Sequence, residues 1–168
     1  MFGREVAGFA VPFDYYDDRI ARCAEKCGFE YARTSDVTLS YTPCRDWYHW
    51  KTGVYHVMPE LVPYVEGFLK TNEELALCQI VGHSYDLFTE NLWDTMESIC
   101  AKIGEHGEIW KCTHLELVRY LKAMEQAERH HVALMSKLDE MQALEEERNT
   151  YLSMIETNTA VDSFFSMA

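Results

Sequence analysis

Leu75-Ala76-Leu77-Cys78-Gln79-Ile80-Val81 runs directly into Gly82-His83-Ser84-Tyr85-Asp86. The apolar run predicts a buried strand, and Gly82 lets the backbone turn where the strand ends. In α/β folds, catalytic and ligand-binding groups gather at the carboxyl ends of parallel strands. Because a histidine has an ordinary pKa of about 6.5, His83 could give or take a proton near neutral pH. Its position fits a catalytic residue and a histidine that merely hydrogen-bonds a neighbouring loop equally well.

Apolar runs and helical segments alternate along the chain as far as about residue 124. Besides residues 75–81, the strand candidates are residues 8–13, 29–33 and 108–112, and a long polar and aromatic loop covers residues 34–57. Strands that alternate with helices predict parallel βα units. About four such units are too few to close a barrel of eight strands. The predicted fold is therefore α/β, a partial (β/α) barrel of about four parallel strands with helices, plus a long C-terminal helix.

Local signals mark where helices begin and end. Asp17 or Asp18 can cap a helix that Gly28 ends. The pattern Thr113-x-x-Glu116 matches a capping box, in which each residue satisfies a backbone amide of the other. It predicts the start of the long C-terminal helix.

The C-terminal segment carries an amphipathic repeat. Its apolar positions are interrupted once, by one acidic and one basic residue. Its members recur at alternating spacings of three and four: Tyr120, Met124, Ala127, His131, Leu134, Leu138 and Met141, then Glu145 and Arg148, then Leu152 and Ile155. Eight acidic and three basic residues lie within 125–156, so this segment is predicted to be an acidic amphipathic helix with a coiled-coil-like seam. A solvated helix that packs on the domain is the other interpretation. Residues 157–168 lack the repeat and are predicted to form a disordered tail.

Composition limits the partners and the compartment. The 168 residues carry a net charge of −13, which phosphate backbones and anionic membrane surfaces would repel. Neither nucleic acid nor a membrane is therefore a predicted partner. No apolar run approaches the ~20 residues of a membrane span, and no signal-peptide pattern is visible. The six cysteines show no zinc-ribbon spacing and are predicted to be small buried thiols. These features predict a cytoplasmic protein.

Four stretches, in order, resemble a known family across residues 8–124. They are Phe9-Ala10-Val11-Pro12-Phe13, Cys27-Gly28-Phe29-Glu30-Tyr31-Ala32-Arg33-Thr34, Val81-Gly82-His83-Ser84-Tyr85-Asp86, and Ile109-Trp110-Lys111-Cys112-Thr113 leading to Glu116. This part of the chain resembles the C-terminal half of the polysaccharide deacetylases with a NodB-type catalytic domain. The resemblance implies a distorted (β/α) barrel that hydrolyses N- or O-acetyl groups of sugars, using a divalent metal held by an aspartate and two histidines.

The resemblance also implies roles for single residues. His83 matches the histidine that protonates the leaving group, and Asp46 matches the aspartate that orients it, although Pro43 stands where that motif has a first aspartate. These two are the predicted catalytic residues. Ala10 stands where the family has an arginine before a Pro-Tyr pair. The predicted substrate-binding residues are Trp47, Trp50, Tyr85, Pro12 and Phe13.

The residues that bind the metal in this family have no counterparts in this sequence. The Thr-Phe-Asp-Asp and His-x-x-x-His motifs, which supply the base and the metal ligands, would lie before residue 8 and have no match in this sequence. A divalent metal such as zinc is thus expected for the complete family domain, and no metal ligand is predicted here. A separate interpretation takes Asp36, His49, His56 and His83 as ligands of an independent metal site.

The prediction that follows is a truncated or split polysaccharide deacetylase-like hydrolase. It would remove acetyl groups from carbohydrates and be inactive by itself. The alternative is a non-catalytic remnant or interaction module that associates through the C-terminal helix. Self-association through an open sheet edge is expected in either case, because unpaired strand edges template contacts between chains.

Overall fold

Parallel strands form two small sheets. The first has the order β1-β2-β3, with β1 Gly8–Ala10, β2 Tyr31–Val37 and β3 Trp50–Thr52. The second pairs β4 Val54–Tyr55 with β5 Ile80–Val81. The structure, a computed structural model, describes residues 3 and 5–165, without the side chains of residues 14 and 156–165. About half of the chain is helical.

The helices follow the strands in sequence. A 3₁₀ turn, Pro12–Asp14, comes after β1, and the helices are α1 Asp18–Lys26, α2 Leu61–Phe68, α3 Asp86–Thr89, α4 Trp93–Gly104 and α5 His114–Phe165. The chain divides into two compact units, Met1–Arg119 and Tyr120–Ala168. The first unit holds both sheets and α1 to α4. Most of α5 forms the second.

The predicted partial (β/α) barrel is wrong. A barrel wall requires one continuous sheet, whereas the described strands form separate sheets of three and two strands. The interruption falls at Gly53, between β3 and β4. A Cβ atom at this position would lie closer than 3.0 Å to the Tyr64 hydroxyl and to the carbonyl oxygen of Gln79. The chain therefore passes through a crowded point where only glycine fits, and it changes its strand partner there.

One strand prediction and the loop prediction need further correction. Residues 108–112, predicted as a strand, form a turn and irregular chain, in which the Lys111 ammonium group donates to the carbonyl oxygen of His106 at 2.9 Å. The His106 ring also contacts Glu108 at 2.6 Å, so local bonds replace a strand ladder. Conversely, β3 and β4 lie inside the segment predicted as a loop. The sequence does not reveal them, because the polar residues Lys51 and His56 interrupt the apolar pattern there.

The predicted caps are confirmed. The Asp17 carboxylate accepts the backbone N–H groups of Arg19 and Ile20 at 2.8 and 3.0 Å, and Gly28 follows α1 with a φ of 83°. Glu116 accepts the backbone N–H of Thr113 at 2.7 Å, and the Thr113 hydroxyl accepts that of Glu116 at 3.3 Å. Such caps typically contribute about 1 kcal/mol each, because they satisfy amides that the first turn leaves without partners.

Two apolar clusters are found in the core of the first unit, among the residues that the structure describes. One joins β4, α2 and α4 through Val54, Leu61, Tyr64, Val65 and Ile99. The other joins the start of the chain to α1 and β2 through Val11, Ala24 and Ala32. The cysteines are less buried than predicted, since Cys23, Cys27 and Cys100 are exposed.

The long C-terminal helix begins where the capping box places it and extends to Phe165. The predicted tail, 157–168, overlaps its end, but the side chains of this stretch lie outside the described residues, and the tail stays a prediction. Within the described part of the chain, every helix is too short or too polar to cross a membrane. The cytoplasmic localisation also stays a prediction.

His114, in the first turn of α5, is a half-buried histidine. Its ring stacks on Tyr31 at 4.3 Å between ring centroids and meets the edge of Trp50 at 4.7 Å. The Nε2 atom is buried and has no hydrogen-bond partner among the described residues. Burial lowers the pKa of His114 from 6.5 to about 4, because the charged form loses its hydration.

This shift predicts acid-sensitive stability. Between pH 6.5 and 4 the unfolded chain binds a proton that the folded chain excludes, so the free energy of unfolding should fall as the pH is lowered through this window. The slope from this group is at most about 1.4 kcal/mol per pH unit. His114→Phe should flatten the slope in denaturant titrations at several pH values. His130→Phe, which removes an exposed histidine of α5, is the matched control; an unchanged slope in His114→Phe would contradict the assignment.

Candidate functional site

The second sheet brings four polar side chains together at the carboxyl ends of its strands. Tyr55 ends β4 and His56 follows it, while His83 lies two residues beyond the end of β5. Asp86 is the first residue of α3. Because β4 and β5 are parallel and in register, the residues after each strand emerge at the same edge of the sheet.

The Asp86 carboxylate is the common partner of the other three side chains. Its Oδ2 atom lies 2.7 Å from the Tyr55 hydroxyl, 3.1 Å from Nε2 of His56 and 3.3 Å from Nδ1 of His83. The hydrogen bond from Tyr55 is the main reason why the pKa of Asp86 lies below its ordinary value. An ionised carboxylate only accepts hydrogen bonds, so Tyr55 and His56 both donate to it.

The same contacts fix the protonation pattern of His83. Nδ1 of His83 lies 2.8 Å from the Tyr55 hydroxyl oxygen, whose proton is committed to Asp86. The Tyr55 oxygen therefore accepts from His83, which places the proton of the neutral imidazole on Nδ1. The hydrogen bond with Asp86, together with burial, raises the pKa of Tyr55 to about 12. The phenol consequently stays neutral throughout the physiological range and holds this arrangement.

His83 is the exposed member of the cluster, and it contacts Tyr55 and Asp86 through Nδ1. The side chain is 58% exposed, whereas those of His56 and Asp86 are 6% and 15% exposed. The Tyr85 ring stacks on the His83 ring at 4.9 Å with an interplanar angle of 15°. Tyr85 is itself exposed. An oriented imidazole beside an exposed aromatic ring can exchange a proton with a ligand that lies on that ring.

Gly82 permits the close approach of the two strand ends. A Cβ atom at this position would lie closer than 3.0 Å to several atoms of the His56 ring. The His56 ring is buried and is held by Asp86, so it could not move away cheaply. The glycine in the sequence Gly82-His83 is thus a packing requirement of the cluster as well as a turn residue.

Asp46 occupies a different place from the one that its predicted role implies. Its Oδ1 atom accepts the backbone N–H groups of Tyr48 and His49, at 3.3 and 3.0 Å. It therefore closes a turn before β3 in the manner typical of aspartate. Among the contacts of the described residues, none joins Asp46 to His83, whose neighbouring carboxylate is Asp86. The catalytic role of Asp46 stays a prediction.

The predicted substrate-binding residues are dispersed. Trp50 is completely buried, and its indole N–H donates to the side-chain oxygen of Gln79 at 2.8 Å. The Trp47 ring lies 5.9 Å from that of Trp50. Pro12 and Phe13 form the 3₁₀ turn after β1, where Phe13 is 92% exposed and has a φ of 55°. Of the five residues, the structure brings only Tyr85 into contact with His83.

The alternative metal site is not assembled. Asp36 contacts His49 at 2.8 Å, and the His49 ring stacks on Tyr16 at 4.1 Å. His56 and His83 instead meet at Asp86. Among the described residues, no three His, Cys, Asp or Glu side chains are arranged to hold a metal ion. The residues present thus do not fit the divalent metal that the family resemblance implies, and the chemistry of this site is derived from its own side chains.

Sequence reasoning did not connect Tyr55 and Asp86 with His83, and it grouped His56 with His83 only as ligands of an independent metal site. Asp86 was visible as the residue three positions after His83, at the start of a short helix. Tyr55 and His56 carry no local signal, because only the pairing of β4 with β5 brings them to His83. No family model, curated protein or solved structure matches the chain.

Replacing the Asp86 carboxylate should release Tyr55. In Asp86→Asn the amide oxygen can still accept a hydrogen bond, but the negative charge is lost, so the pKa of Tyr55 should fall from about 12 toward 10. Titration of the tyrosine ring carbons by NMR measures this directly. Asp36→Asn removes a carboxylate that contacts His49 instead, and it should leave Tyr55 unchanged. Equal Tyr55 titration in wild type and Asp86→Asn would refute the assignment.

Proposed function

We propose that this chain supplies the proton-donating side of a hydrolase that removes acetyl groups from carbohydrates. One observation carries the proposal: His83 is oriented by Tyr55 and Asp86 through Nδ1, and its largely exposed side chain stacks on the ring of Tyr85. When protonated, His83 can donate a proton from Nε2 to the nitrogen or oxygen that leaves the acetyl group. Asp86 stabilises the imidazolium form that this step requires.

The role of each side chain follows from its contacts. Tyr55 and Asp86 are positioning residues, because they hold His83 and do not face solvent as it does. Tyr85 offers an exposed aromatic face on which the apolar face of a sugar ring can stack. The family resemblance, quoted above for residues 8–124, supports an acetylated sugar as the substrate class. The base and the nucleophilic water of the reaction would have to come from another segment or protein.

The first experiment tests substrate recognition by the chain itself. We expect an acetylated chitooligosaccharide to perturb the NMR resonances of His83 and Tyr85, and we expect the deacetylated oligosaccharide to do so less. Tyr85→Ala should weaken the binding about tenfold, which corresponds to the loss of roughly 1.4 kcal/mol. His106→Ala is the control at a surface histidine outside the cluster. The absence of perturbation at His83 and Tyr85 at millimolar ligand would overturn the proposal.

The second experiment tests the chemistry. The isolated chain should not deacetylate chitooligosaccharides or acetylated xylan, with or without added zinc, because the described residues do not assemble a metal site. A polypeptide that carries the Thr-Phe-Asp-Asp and His-x-x-x-His motifs, added in trans, should restore turnover. His83→Ala should then reduce the restored rate by ~10²–10⁴-fold, the usual contribution of general acid catalysis. Metal-dependent turnover by the chain alone would contradict this assignment.

The alternative function, an interaction module, is favoured by a separate observation. The second unit exposes apolar side chains along α5, among them Leu138, Met141 and Leu152. Exposed apolar stripes of this kind mark helix-association surfaces. The two functions involve different units of the chain and are compatible with each other.

A further inference from the structure

The exposed stripe on α5 is a regular heptad seam. Leu134, Leu138, Met141, Leu152 and Ile155 are between 46% and 66% exposed. In a seven-residue repeat with positions labelled a to g, Leu138 takes position a and Met141 takes position d. All five residues then fall at a or d positions. Residues 134–155 span about 33 Å of helix at 1.5 Å per residue. A seam of this length and exposure requires a partner helix to remove it from water.

Two charged residues of opposite sign interrupt the seam at its centre. Glu145 takes an a position and Arg148 the following d position. Both side chains are 66% exposed, and they approach one another at 3.7 Å within the chain. A pair this exposed gains little from its internal contact. Their place in the seam therefore points to a role in contacts with the partner helix.

The remaining charges of this segment avoid the seam. Between residues 138 and 155 they are Asp139, Glu140, Glu146 and Glu147, which fall at b and c positions on the outer face of a paired helix. The flanking e and g positions carry no charge here: they hold Gln142, Leu144, Asn149 and Tyr151. Between residues 138 and 155, Glu145 and Arg148 are thus the charged residues that determine whether two paired helices run parallel or antiparallel.

We propose that the partner is a second copy of this chain, with the two α5 helices packed antiparallel. In an antiparallel pair, a positions meet d positions, so Glu145 of each copy meets Arg148 of the other. A parallel pair would set Glu145 against Glu145 and Arg148 against Arg148, which is repulsive in both layers. The seam is therefore self-complementary in one orientation only. This inference rests on the association function and adds its partner and geometry.

The central charge pair also fixes the register. With Glu145 level with Arg148 of the second copy, Met141 meets Leu152 and Leu138 meets Ile155, so the apolar layers coincide on both sides. Leu144 and Tyr151 come together at flanking g positions, and Gln142 meets Asn149 at flanking e positions. Single polar layers of this kind set register and orientation in coiled coils.

The first test compares two charge reversals in the full chain. Glu145→Arg places arginine opposite arginine and should weaken the dimer about tenfold or more in sedimentation equilibrium. Glu147→Arg makes the same change of charge on the outer face and should leave the dimer as in wild type. Both residues are exposed, and circular dichroism will confirm that the helix is retained. Equal effects of the two variants would overturn the pairing of Glu145 with Arg148 between copies. A wild type that is monomeric at about 100 μM would overturn the association itself.

The second test distinguishes the orientation. The double variant Glu145→Arg/Arg148→Glu exchanges the two charges and should dimerise like wild type, because a still meets d with opposite charge. Mixed with wild type, it should form fewer heterodimers than the statistical half, measured by native mass spectrometry. An excess of heterodimer would overturn the antiparallel arrangement, since only parallel helices would then gain opposite charges, and would leave the association standing.

Discussion

The carboxylate of Asp86 is the interaction on which the candidate site depends. It accepts hydrogen bonds from the Tyr55 hydroxyl and from the buried His56 ring, and it contacts Nδ1 of His83. These bonds join the residues after β4 to those after β5, two strands of only two residues each. A sheet this small gains little from its own ladder, so a charged acceptor with several donors fixes the geometry of its edge. The exposed His83 side chain takes its orientation from that arrangement.

The two units of the chain place different physical demands on their sequences. The first unit buries apolar clusters between β4, α2 and α4 and requires glycine at positions 53 and 82 where backbone or ring atoms approach closely. The second unit keeps an apolar seam in contact with water and places most of its charge away from it. We propose a proton-transfer role for the first unit and a contact with a second helix for the second.

Short sequence patterns correctly predicted the features that depend on residues close together in the chain. The Asp17 cap, the Thr113–Glu116 box and the heptads of α5 are all read within a few residues, and all are present. The partial barrel failed because it depends on which strands pair. Among the described residues no strand pairs with residues 108–112, which form a local turn instead. By contrast, β3 pairs with β2 although Lys51 interrupts its apolar pattern, and β4 pairs with β5. For the same reason, the sequence marks His83 as a strand-end residue but gives no sign that Tyr55 and Asp86 are its partners.

The tautomer of His83 is the most direct test of this account. Long-range ¹H–¹⁵N correlation of the histidine rings at pH 8 or about that value, where neutral imidazole dominates, reads which nitrogen carries the proton. The account predicts a proton on Nδ1 of His83 and a bare Nε2, together with a proton on Nε2 of His56. In Asp86→Ala the preference at His83 should disappear, because Tyr55 is then free to donate to Nδ1. A proton on Nε2 of His83 in the wild-type chain would contradict the claim that Tyr55 and Asp86 orient this residue for proton transfer.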